Sequence, residues 1–78
     1  MEKALLSELK KGEHAVIEKM DTNGELRQRL MDMGFVEGTK IECVRISPAG
    51  DPKAYRIRGT VIAIRKEDAE KITVVKSL

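Results

Sequence analysis

Two runs of alternating character, "TKIECVRI" (39–46) and "KAYRIR" (53–58), stand on either side of "SPAGDP" (47–52). This arrangement constrains the chain more than any other part of it. Pro48 suits the second position of a type I turn and Gly50 the fourth. Asp51, directly before Pro52, is pushed into an extended conformation. Beyond the turn Tyr55 and Ile57 alternate with Arg56 and Arg58, so one face of that strand is buried and the other solvated. The first run is rich in β-branched residues, which favour a pleated surface. The two runs are therefore expected to pair as an antiparallel hairpin. Gly59 marks a bulge or tight bend before a further strand, "TVIAIR" (60–65).

The rest of the chain adds strands and one helix. "EHAVIEKM" (13–20) reads as the first strand, entered through the turn "SELKKG", and "ITVVKS" (72–77) as the last, after one helical turn in "KEDAEK" (66–71). Between the first two strands, Thr22 followed by Glu25 fits a capping box, which starts a helix over 22–33. Leu26, Leu30 and Met33 recur at i, i+4 and i+7 and form its apolar stripe. Gly34 stands where the helix needs a left-handed residue to stop, and Phe35 folds back on Leu30 as the clasp of a Schellman ending. The expected fold is mainly β: a small barrel of about five strands closing on itself, with one short helix inserted after the first strand. Leu26, Leu30, Ile41, Ile57, Ile62, Ile64, Ile72 and Val74 are its predicted core.

Length and charge narrow the classes of function. The 78 residues make one domain, 1–78, with a core too small for a large stability surplus. No apolar run reaches bilayer length, and the acidic start "MEKALLSELKKGE" does not read as a secretory signal. A single cysteine leaves no internal disulfide and points to a reducing, cytoplasmic setting. The net charge is +2: residues 1–39 hold six Lys/Arg against eight Asp/Glu, and residues 40–78 hold nine against five. The second half is thus mildly basic.

Chemistry-bearing residues are scattered. Met31 and Met33 are two apart, so a helix cannot turn both to one metal, and core filling or surface contact is the better use of them. Cys43 lies alone on a strand and reads as a small buried hydrophobe. His14, beside Glu13, reads as solvated. Ser7, Ser47 and Ser77 have only His14 as a base, with no motif joining them. Gly34 and Gly38 follow a helix, whereas a phosphate cradle precedes one. No catalytic, cofactor or metal residue is assigned. A nucleic-acid strip of Arg45, Arg56, Arg58, Arg65 and Lys66 is the alternative, opposed by an aromatic inventory of only Phe35 and Tyr55 for base stacking. The feature left over is the helix exit, where Met31, Phe35 and Val36 exceed what one stripe can bury. They are the expected partner-binding residues, with Arg56 and Arg58 as a second surface.

"LKKGE", "RLMDMGFVEGTKIE", "SPAGDPKAYRIRG" and "IAIRKEDAEKITV" together resemble the FeoA family of bacterial ferrous iron transport. The resemblance covers nearly the whole chain, with Ile64 standing where the family pattern has leucine. It implies an SH3-like barrel with a helical insertion, and a non-enzymatic cytoplasmic protein of iron homeostasis. It also implies a partner, the FeoB permease with its cytosolic GTP-binding domain. The family is described as binding transition metals, but no ligand set maps onto these residues. FeoA-like domains also end metal-dependent repressors, which makes a metal-responsive interaction module a further alternative.

Overall fold

In the computed structural model, which describes residues 2–76, six antiparallel strands form one curved sheet. The strands are β1 (Glu2–Leu5), β2 (His14–Met20), β3 (Lys40–Ile46), β4 (Lys53–Ile57), β5 (Thr60–Ile64) and β6 (Ile72–Lys76). Helix α1 (Gly24–Asp32) links β2 to β3, and the short α2 (Lys66–Ala69) links β5 to β6. No helix among the described residues is long and apolar enough to cross a membrane. Ser77, placed in the last strand and among the candidate nucleophiles by sequence, lies outside the described residues.

The hairpin read from the turn is present. Gly50 N–H donates to the Ser47 carbonyl at 2.8 Å, closing the turn. β3 and β4 pair with Ile41 opposite Ile57 and Cys43 opposite Tyr55, and a bulge between Cys43 and Arg45 shifts the register. The next connection has only two residues, Arg58 and Gly59, both at positive φ (49° and 79°), between the paired Ile57 and Thr60. That conformation matches the right-handed twist of the flanking strands. Gly59 is therefore part of a two-residue hairpin turn rather than a bulge.

Two expectations about the sheet need correction. There are six strands, because the N-terminal "EKAL" pairs with β6, and the helix consequently follows the second strand. β1 is short and mostly exposed, so it shows no alternation to read. The sheet also does not close: the order is β1-β6-β2-β3-β4-β5, which leaves β1 and β5 as edges. A 3-10 turn at Leu6–Glu8 packs against β6 and α2. Lys53 on β4 reaches to it and donates to the Ser7 and Leu9 carbonyls at 2.6 and 2.8 Å. Tyr55 Oη donates to the Leu6 carbonyl at 3.3 Å.

The core follows from this packing. Leu6 and Leu9 join Ala15, Ile17, Leu30, Phe35, Ile41, Cys43, Tyr55, Ile57, Ile64, Ile72 and Val74 in one buried cluster. Leu26 and Ile62, expected inside, are only partly buried against it. Met33, the third member of the expected stripe, is exposed because the helix ends at Asp32 and Met33 caps it. At the other end the capping box does not form. Asn23 takes the cap position in an extended conformation and the helix begins at Gly24, leaving the Thr22 hydroxyl without a partner.

Candidate partner-docking surface

The helix exit is built as a Schellman motif. Gly34 N–H donates to the Met31 carbonyl at 3.0 Å, and Phe35 N–H to the Leu30 carbonyl at 2.9 Å. These satisfy two of the carbonyls a helix leaves open at its end. Gly34 has φ +103°, a region that L side chains rarely adopt. Phe35 is wholly buried beside Leu30, so its ring serves as the clasp. It cannot itself meet a partner, and the expectation that it would is corrected on that ground.

Met31 points the other way and is 40% exposed. It shares a groove of about 320 Å³ with Met20, Arg27 and Val36, whose floor lies over Phe35. Arg27 donates to the Met20 carbonyl at 3.2 Å and ties the start of the helix to the end of β2. Met31 and Val36 are thus brought together, as the sequence suggested, although Val36 is half-buried.

Arg58 adds a contact that sequence reasoning did not anticipate. A Cβ at Gly34 would lie 2.7 Å from Arg58 Cδ, which shows how closely the arginine stem lies on that glycine. The β4–β5 turn therefore rests on the helix exit through the Arg58 stem, while the Met31 groove itself is edged by Glu18, Lys19 and Glu37. The available signal was the Arg58-Gly59 dipeptide between alternating runs, a two-residue turn that aims its side chain across the sheet.

Arg56 behaves differently. Its guanidinium donates to Glu42 Oε1 at 3.0 Å across the β3–β4 ladder. His14 Nε2 lies 3.6 Å from Glu42 Oε2 on the neighbouring strand. His14, Glu42, Arg56 and Arg58 line one open groove of about 400 Å³. Arg58 thereby lines this groove while its stem lies on Gly34 at the helix exit; the groove shares no lining residue with that of Met31 and Val36.

These groups do not assemble a metal centre or a nucleophile. Glu42 already bonds Arg56, and no three His, Cys, Asp or Glu side chains converge among the described residues. Burial pushes the Cys43 thiol up, so it stays protonated and inert near neutral pH.

Comparison with known proteins agrees with the architecture. The model of the FeoA domain matches residues 4–76. A Porphyromonas gingivalis protein, named an Fe(2+) transport protein A/Fe(2+) transporter FeoB fusion, is 45% identical over 69 residues. That match takes in 88% of this chain and 8% of the fusion protein, so the chain spans only a small part of that relative's length. The solution structure of the Chlorobium tepidum FeoA protein superposes with a TM-score of 0.91 at 37% identity, covering 96% of this chain and 71% of that one. A zinc-complexed FeoA from Stenotrophomonas maltophilia, described as a prokaryotic SH3 domain protein, gives 0.76 at 31% identity, covering 95% and 89%.

Proposed function

We propose that this chain, which belongs to the FeoA family, is an accessory protein of ferrous iron transport that docks on the cytosolic GTP-binding domain of the FeoB permease. The observation behind this reading is the fusion in Porphyromonas gingivalis, where a segment 45% identical to this chain is joined covalently to a FeoB transporter. Tethering raises the effective concentration of two modules that work together. A separate chain doing the same work needs a contact surface of its own and acts in the cytoplasm, where that domain lies.

The groove of Met31 and Val36 is the surface we assign to that contact. An exposed methionine adapts its shape to a partner, and Val36 adds a stiff apolar wall. Arg58, in the neighbouring groove, has its stem already ordered on Gly34, so less freedom is lost if the partner extends to it. Its role is to hold a partner, with no bond made or broken by its own residues.

The test is a titration of the FeoB cytosolic domain with the parent protein and with Met31→Glu. A carboxylate at this position is desolvated without a partner on docking, at a cost on the order of several kcal/mol. We predict at least a tenfold weaker complex with an unchanged fold. Equal affinity of parent and variant would exclude this groove, and no binding by either protein would remove the FeoB assignment.

A further inference from the structure

The two sheet edges are protected very differently. β1 carries Glu2 and Lys3 within its four residues, and Lys3 pairs with Glu18 at 3.1 Å. Charges on an edge strand discourage addition of another strand. β5, "TVIAI", has no charged residue and no proline in its five. Its ladder to β4 starts at Ile57–Thr60, next to a two-residue turn, and runs through Tyr55–Ile62 to Lys53–Ile64. In such a hairpin these pairs exchange the hydrogen bonds, and the intervening residues aim their backbone groups outward. Those residues are Val61 and Ala63. Both are exposed, Val61 at 48%, and among the described residues no other segment bonds their N–H or C=O groups.

A groove of about 290 Å³ runs beside this edge, between β5 and helix α1. Leu26, Met33 and Ile62 give it an apolar lining, and Arg29 and Arg65 lie along it, with Asp68 as its acid. Arg58 precedes the strand, and Lys66 follows Arg65. The edge is therefore apolar in the middle, and its groove carries two guanidinium groups against one carboxylate, with Glu67 3.9 Å from Arg65 at the exposed end.

The geometry points to β5 as an acceptor for an extended acidic segment of a partner protein, added antiparallel to Val61–Ala63. Backbone bonds to Val61 and Ala63 supply the ladder, and alternate side chains enter the groove beside α1. Apolar ones rest on Leu26 and Met33, and carboxylates meet Arg29 and Arg65. A second copy of this chain suits the edge less well. The β5 strand of another copy brings no acidic side chain to meet Arg29 and Arg65. This inference does not depend on FeoB, because the edge and the Met31 groove flank opposite sides of α1.

The experiment is amide hydrogen exchange by NMR on the whole protein, using an acetylated and amidated (Glu-Val)3 peptide as probe and (Lys-Val)3 as control. Val61 and Ala63 amides are expected to exchange rapidly in the free protein. They should slow at least tenfold with the glutamate peptide and remain unchanged with the lysine peptide. Ala63→Pro removes one outward donor and should abolish the protection. Should that variant fail to fold, the double variant Arg29→Glu with Arg65→Glu leaves the strand intact and should weaken peptide binding at least tenfold. Four results would overturn the proposal: no protection by the glutamate peptide, equal protection by both peptides, charge-reversed protein binding like the parent, or protection that grows with protein concentration alone. The last would identify self-association instead.

Discussion

Gly34 holds the most demanding backbone position at the candidate docking surface. Its φ of +103° is open to glycine and strained for other residues, and Arg58 Cδ occupies the space a Cβ would need. The arginine stem is flexible and can shift, so the backbone term decides the cost of a substitution there. We predict that Gly34→Val loses roughly 1–3 kcal/mol of stability. Glu37→Ala, at an exposed position three residues on, should stay within about 0.5 kcal/mol. Thermal melts of both variants check the pair, and equal midpoints would contradict the assigned conformation. This position was legible in the sequence because a helix stop is a local event, set by a glycine and the apolar residue after it. The helix start was not, since the Thr22–Glu25 pattern fits a capping box while the cap position is taken by Asn23, one residue later, with no side-chain cap bond.

Helix α1 is secured by one buried side chain of its own, Leu30, with Leu26 only partly covered. Leu30→Ala should therefore cost about 2–5 kcal/mol, the range for emptying a leucine site that cannot collapse. Denaturant unfolding measures it, and an unchanged midpoint would mean that the helix is not anchored there. On the opposite side of the molecule, Lys53 joins β4 to the turn at Leu6–Glu8 with two charge-assisted hydrogen bonds. Lys53→Met keeps the apolar stem but leaves two carbonyls unanswered, and we predict a loss of about 1–3 kcal/mol. A variant as stable as the parent would show that water replaces the ammonium without penalty. The helix was visible in the sequence as a period of 3.6 residues. The Lys53 contact joins residues more than forty positions apart and has no local signature.

Across the molecule, the two surfaces proposed for docking lie around α1. The Met31 groove lies on one side, the β5 edge and its groove on the other, and the turn at Arg58 rests on the helix end. Substitutions on the two sides share no partner and should act independently. We predict that Met31→Glu and the double variant Arg29→Glu with Arg65→Glu each leave stability within about 0.5 kcal/mol of the parent, all three positions being exposed. Their combination should melt at the midpoint expected from adding the separate effects. A larger loss would show that the two faces are mechanically coupled through the helix.

Features that depend on neighbours along the chain could be read directly from residue order. The hairpin at Ser47–Pro52, the strand alternation of Tyr55 and Ile57, the helix over Leu26–Leu30 and its stop at Gly34 all rest on local backbone preference and periodicity. The arrangement of short motifs was also enough to suggest the family. The tertiary structure alone decided the rest. β1 became a strand because β6 offers it a partner, not because four residues of "EKAL" favour pleating. Leu6 and Leu9 became core because the 3-10 turn that carries them packs against β6 and α2 and is bonded from Lys53 on β4. Arg58 met Gly34, and β5 became an unprotected edge, because strand order fixes which distant residues touch and which backbone groups are left without a neighbour. Periodicity records which side of an element is apolar, but only packing of the whole chain determines what covers it.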